Sequence, residues 1–278
     1  MMWLAAGITS IAIAGNEVVS ASLDGKVRSK QLIASKDYEL YAVTASANRI
    51  AFCGNSRDIN VGERIFKIPA GWCLALDFSP DGRTLAVGTT EKQVELFDVA
   101  TGNILRSLDT KWSAAAVTWS PDGKTIATGA YGVAIWNAPD GSLLRNLEAP
   151  PGAIHAVVFS RDGARVAAAG PKAAHIWNAA TGELLRKIEP EGFVQFVGEK
   201  SVIEPITVPL LSLDFSPDGK TLATGGSDRM VRIWDVESGK ELQRFEGHHA
   251  SITAVRFLDA KRLVSGSLDG TIKFWTLK

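Results

Sequence analysis

Leu74-Ala-Leu-Asp-Phe-Ser-Pro-Asp-Gly-Arg-Thr-Leu-Ala-Val-Gly88 is the stretch on which the fold turns. Its first five residues alternate and read as a strand. Ser79-Pro-Asp-Gly82 then reverses the chain: proline presets φ, aspartate bonds its own backbone, and glycine accepts a positive φ. Thr84-Leu-Ala-Val-Gly88 follows as a second strand, apolar and small, so that a neighbouring sheet can approach closely. The segment is a hairpin whose second strand is shaped for packing.

The hairpin recurs. Phe78-Ser-Pro-Asp-Gly82, Trp119-Ser-Pro-Asp-Gly123, Phe159-Ser-Arg-Asp-Gly163 and Phe215-Ser-Pro-Asp-Gly219 are clear copies, and Phe257-Leu-Asp259 is a degraded one. The aromatic residues are spaced by 41, 40, 56 and 42 residues, so the period is near 40 with one long interval. Each copy continues into a third strand ending in an aromatic: Val94-Glu-Leu-Phe-Asp98, Val133-Ala-Ile-Trp-Asn137, Ala174-His-Ile-Trp-Asn178, Val231-Arg-Ile-Trp-Asp235 and Ile272-Lys-Phe-Trp275. Thr101-Gly102, Asp140-Gly141, Thr181-Gly182 and Ser238-Gly239 then turn the chain into a fourth strand such as Asn103–Leu108 or Glu183–Ile188. Four strands per period make one blade of a propeller.

These repeats resemble the WD40 family, whose pattern runs glycine-histidine, strand, aspartate-glycine turn, then tryptophan-aspartate closing the third strand. The last repeat matches best. The resemblance implies that His248, Ser265, Asp269 and Trp275 form the family's structural hydrogen-bonded tetrad. The sixth repeat keeps Thr224, Asp228 and Trp234-Asp235 without the histidine, and the middle repeats lose both histidine and turn aspartate, so packing is expected to hold them.

Two further repeats lie at the N-terminus. Ile8-Thr-Ser-Ile-Ala-Ile13 aligns with Ile252-Thr-Ala-Val-Arg-Phe257, which brings Val18-Val-Ser-Ala-Ser-Leu-Asp-Gly25 onto Leu263-Val-Ser-Gly-Ser-Leu-Asp-Gly270. Tyr41–Ser46, Ile50–Gly54 and Arg64–Ile68 supply a compressed second repeat. The expected fold class is all-β: a seven-bladed WD40-like β-propeller forming a single domain over residues 1–278. Its blades are placed at about 8–40, 41–70, 71–110, 111–150, 151–190, 209–247 and 248–278. The chain stops on the third strand of the last blade, and only Met1-Met-Trp-Leu-Ala5 stands before the first inner strand, so a three-stranded last blade is expected. Its uncovered edge invites strand pairing with a partner. The long interval, 189–209, reads as an extra hairpin around Gly198-Glu-Lys200, and both a local structural role and a binding role remain open for it.

Composition narrows the function. Lys plus Arg (30) equals Asp plus Glu (30), so no bulk field draws the chain to nucleic acid or anionic lipid, and neither is expected as a partner. Met1–Gly15 is apolar and contains Ala12-Ile-Ala14, but no Lys or Arg precedes it and Ile8–Ala14 aligns with a repeat strand, so a strand is expected there rather than a removed leader. Cys53 and Cys73 have no metal, haem or CxxC spacing; two buried free thiols are expected, and with them a cytoplasmic location. No catalytic, cofactor or metal motif is present: His155, His175, His248 and His249 lack ligand spacing, and the recurring Asp81, Asp122, Asp162 and Asp218 sit at turns.

A non-catalytic scaffold that binds a protein or peptide is therefore expected, on the top face formed by the loops between second and third strands and between one blade and the next. Candidate contact residues there are Trp72, Trp112, Arg57, Tyr131, Lys172, Arg229 and His249, because aromatics and arginines anchor interfaces. Packing of the tryptophans between blades is the competing reading. An enzyme or small-molecule receptor that uses the central channel, and a regulatory module of a larger protein, are the alternatives.

Overall fold

A computed structural model describes residues 7–46, 49–148, 152–190, 196–197, 200–201 and 208–278. Seven antiparallel sheets are formed by consecutive strands, six with four strands and the last with three, in a seven-bladed propeller. A further two-stranded hairpin pairs Phe196–Val197 with Lys200–Ser201. The inner strands are Ile8–Ala14, Leu40–Ser46, Cys73–Phe78, Ala116–Trp119, Ala156–Phe159, Leu210–Phe215 and Ile252–Phe257. Ile8–Ala14 is thus part of the ring. The remainder of the 189–209 insertion beyond Pro190, apart from its short hairpin and residues 208–209, lies outside the described residues, as does Met1–Ala5.

The four Ser-x-Asp-Gly turns share one geometry. Asp81 Oδ1 accepts the Ser79 hydroxyl at 2.6 Å and the Arg83 N–H at 3.0 Å, and Asp122, Asp162 and Asp218 repeat these bonds. These bonds, the serine hydroxyl's foremost, hold the four carboxyls below the usual carboxylate range. They are engaged in turn formation.

Small second strands let the blades close on one another. A Cβ on Gly129 would stand 2.6 Å from Ile154 Cγ2, one on Gly225 2.5 Å from Ile252 Cγ2, and one on Gly266 2.7 Å from Ile8 Cγ2. The third contact joins the last blade to the first, where Ile8, Ile11, Ala254 and Val264 pack together and the Thr253 hydroxyl donates to the Ile8 carbonyl at 2.5 Å. Among the described residues, the ring closes through its inner strands without a shared ladder.

The expected free thiols are not there. Cys53 and Cys73 form a disulfide with Cα atoms 5.8 Å apart, joining the second strand of blade 2 to the inner strand of blade 3. Twenty residues separate them, and only the stacking of the two blades brings them together. Both are completely buried, among Ile59, Ile68, Leu76 and Leu85.

Candidate functional site

Because strands alternate in direction, the loops after each second strand and those between blades emerge at the same end of the propeller. Trp72 and Trp112 lie on loops between blades, and Tyr131 on the loop between second and third strands of blade 4. Gly71, with φ 69°, turns the chain just before Trp72. Trp72 and Thr90 then exchange bonds: the Trp72 N–H donates to the Thr90 hydroxyl and the Thr90 N–H to the Trp72 carbonyl, each at 3.0 Å. The Ser113 hydroxyl donates to the Thr90 carbonyl at 2.9 Å, which ties the loop carrying Trp112 to the same point. Thr90 thus holds the backbones of the Trp72 and Trp112 loops.

Their rings face outward. Trp72 is 49%, Trp112 56% and Tyr131 56% exposed, and the Trp112 and Tyr131 rings lie 5.3 Å apart at 35°. These tryptophans do not pack between blades.

Trp72 and the other four candidates reach the same end; the only ring contact shown among the seven is that of Trp112 with Tyr131. Arg57 donates from Nε to the Ile68 carbonyl at 3.1 Å and from Nη2 to the Pro69 carbonyl, so its guanidinium fastens the two loops of blade 2. Lys172, Arg229 and His249 are exposed on blades 5, 6 and 7. Arg229 takes φ 69° in its turn, and the His249 N–H donates to Asp269 Oδ2 at 2.8 Å.

In the last blade His248 stands with Nδ1 3.0 Å from Asp269 Oδ2 and Nε2 2.8 Å from Ser265 Oγ, and Trp275 Nε1 donates to the same serine at 2.7 Å. Burial opposes ionisation of Asp269, but the Thr271 hydroxyl and the N–H groups of His249 and Thr271 outweigh it and hold the carboxyl far below its ordinary value. His248 is pushed down, chiefly by burial, which favours the neutral ring. These hydrogen bonds, with the family signature of the sequence, settle the assignment.

The chain belongs to the WD40-repeat family. The WD domain, G-beta repeat model matches residues 204–235 and 239–276, and the anaphase-promoting complex subunit 4 WD40 domain model matches residues 32–122. A WD40 repeat protein of Penicillium oxalicum is 36% identical over 86 residues, 29% of this chain and 25% of that protein. Pre-mRNA-processing factor 19 of Oryza sativa subsp. japonica is 40% identical over 83 residues, 30% of this chain and 15% of the relative. Periodic tryptophan protein 2 of Arabidopsis thaliana is 43% identical over 65 residues, 23% of this chain and 7% of the relative. The chain thus spans a quarter or less of the length of these curated relatives.

Two WD40 blades replace the histidine in ways the sequence does not announce. In blade 6 the Arg232 side chain, 2% exposed, bonds Asp228 and lies 3.3 Å from Glu241. In blade 1 Arg28 donates to Ser22 at 2.9 Å and to Asp24 at 2.6 Å; against the effect of burial, Arg28 and Ser22 bring the Asp24 carboxyl down to about 2. Blades 4 and 6 also keep the tryptophan bond to a second-strand threonine, Trp136 to Thr128 at 2.9 Å and Trp234 to Thr224 at 2.8 Å.

The central channel carries its own charges. Asp77, Asp214 and Arg256 face it from equivalent positions on blades 3, 6 and 7. Asp77 Oδ2 accepts the Trp119 N–H at 2.9 Å and Asp214 Oδ2 the Phe257 N–H at 2.7 Å. Each carboxylate thereby staples its blade to the next. No group of three or more His, Cys, Asp or Glu is placed to hold a metal ion among the described residues.

Proposed function

We propose that this chain is a non-catalytic interaction scaffold that holds a protein or peptide partner against Trp72, Trp112 and Tyr131. The observation that carries the reading is the exposed Trp112–Tyr131 pair, with the Trp112 loop tied through Ser113 to Thr90, which also bonds the Trp72 backbone. Aromatics whose backbones are already ordered lose little further freedom on binding, which is the property of an interface anchor. The relatives' names support it: they include a pre-mRNA-processing factor, a ribosome biogenesis protein and a serine-threonine kinase receptor-associated protein. One of those names states an association with another protein, and nucleic acid is not proposed as a direct ligand of this neutral chain.

The test is affinity capture with matched variants. Partners retained by the parent chain and by Phe274→Ala, but lost with Trp112→Ala and Tyr131→Ala at unchanged circular dichroism, support the reading. Equal capture by all four chains overturns it.

A second reading is favoured by the last blade. Its third strand, Ile272–Thr276, has no fourth-strand neighbour among the described residues, and Phe274 is 64% exposed beside a groove of about 860 Å³ toward blade 1. In other blades the fourth strand sets Leu108 against Val94, Leu147 against Val133 and Phe245 against Val231. An added antiparallel strand would accordingly set an apolar residue against Ile272. Cytoplasmic residence belongs to this proposal only with Cys53 and Cys73 as dithiols in the cell; a disulfide trapped by alkylation at lysis overturns that compartment.

A further inference from the structure

The open edge of blade 7 is defined by the register of its third strand. The Leu277 N–H donates to the Lys261 carbonyl at 2.7 Å and the Ser267 N–H to the Thr271 carbonyl at 3.2 Å, and both bonds continue the ladder in which Leu263 faces Trp275 and Ser265 faces Lys273. Hydrogen-bonded pairs alternate along an antiparallel ladder, so Lys273 and Trp275 direct their N–H and C=O groups at the second strand, Arg262–Ser267. Ile272, Phe274 and Thr276 direct theirs away from it. No strand meets these groups among the described residues.

The same three residues carry no charge, and Phe274 is the most exposed large apolar side chain among the described residues. The fourth strands that close blades 2 to 6 differ in this respect: each carries an arginine, in turn Arg64, Arg106, Arg145, Arg186 and Arg244. Charged side chains guard an edge against pairing with another chain.

The strand is also complementary to itself. Two antiparallel copies centred on Phe274 set Phe274 against Phe274, Ile272 against Thr276 and Thr276 against Ile272, and all three are pairs of outward-bonding residues. Lys273, the one charge of the strand, then faces Trp275 of the other copy. Moving the centre by one residue in either direction loses one of the three pairs. A centre on Lys273, which would set Phe274 against Ile272, also places that lysine against itself, and like charges directly opposite are unfavourable. In the register centred on Phe274, each copy's Phe274 takes the place that Gln243 holds against Ile233 in blade 6, at the border of the groove toward blade 1.

We propose that this edge binds a second copy of the chain, the two three-stranded blades joining about Phe274 into one six-stranded antiparallel sheet. The proposal rests on the reading that a strand adds to blade 7, and it names that strand. Blades radiate from the channel, so the fourth strands of blades 6 and 1 turn away from the second molecule. The contact is short, which places it among weak, concentration-dependent associations.

The experiment is sedimentation velocity of the full chain from about 5 to 500 μM, with amide hydrogen exchange at both ends of that range. A monomer that becomes a dimer with concentration, its Ile272, Phe274 and Thr276 amides open in the dilute chain and protected in the concentrated one, supports the proposal. Because Phe274 opposes itself, Phe274→Lys and Phe274→Glu should each dimerise at least about tenfold more weakly than the parent, while their equimolar mixture regains the dimer. Trp112→Ala leaves the dimer unchanged. A monomer at every concentration, or a dimer indifferent to both Phe274 variants, overturns the second copy as occupant; if the three amides then stay open, the added-strand reading stands for another chain. Amides already protected in the dilute monomer show an edge covered by the chain itself, and overturn both.

Discussion

Asp77 Oδ2, on the channel wall of blade 3, accepts the backbone N–H of Trp119 on blade 4 at 2.9 Å. The carboxyl is pushed up to about 6 because burial outweighs the hydrogen bonds it receives and the more distant charge of Arg256. The folded chain therefore holds a proton that the unfolded chain, with its carboxyl near 3.8, gives up. The contribution of this group is complete below about pH 4 and is lost as pH rises through about 6, a decline of about 2–3 kcal/mol. Asp77→Asn keeps an acceptor for Trp119 and removes the proton, so the difference in unfolding free energy between parent and variant should vary between pH 4 and 6 and be flat above. Urea titrations across that range give the answer; a difference independent of pH refutes the assignment.

Removing one partner of the buried Arg232–Asp228 pair leaves a charge without compensation. Arg232→Met is expected to cost about 3–5 kcal/mol. The double variant Arg232→Met with Asp228→Asn should recover part of that loss. Denaturant unfolding of the parent, of Arg232→Met, of Asp228→Asn and of the double variant completes the cycle.

The Cys53–Cys73 bond closes a short loop across two blades. Thiol titration of the unfolded, non-reduced chain should find no free cysteine. Reduction should lower stability by about 3 kcal/mol, the loop-closure contribution of a 20-residue separation.

Glycine at the blade contacts is a matter of space. A Cβ on Gly88 would run into the backbone carbonyl of Ala114, whereas one on Gly132 meets nothing within 4 Å. Gly88→Ala should lower the melting temperature clearly, by the equivalent of about 1–3 kcal/mol, while Gly132→Ala leaves it unchanged or slightly raised. Thermal unfolding of the pair distinguishes a packing requirement from a general intolerance of alanine.

Features carried by one repeat, or by matching positions in several, were legible in the sequence. Leu74–Gly88 contains a whole hairpin, so its period yields the blade count and the short last blade. Asp81, Asp122, Asp162 and Asp218 could be read as turn formers because each bonds within its own pentapeptide. Features that need two blades at once were not. Cys53 and Cys73 share no motif, and Trp112 and Tyr131 meet only because separate loops of one end converge. The arginine substitutes were hidden differently: Arg232 and Arg28 sit on third strands, where a charged residue reads as facing solvent, and only burial beside Asp228 or Asp24 reveals the exchange.

The glycine-to-isoleucine joint recurs at Gly129 with Ile154, Gly225 with Ile252 and Gly266 with Ile8. What blade 4 offers to blade 5 is therefore also what blade 6 offers to blade 7, and what blade 7 offers to blade 1. A ring with such interchangeable couplings can lengthen by copying: a duplicated blade meets neighbours already shaped for it, and the socket arises with the knob that fills it. Growth of the gene by one repeat then needs no second, compensating change at that joint.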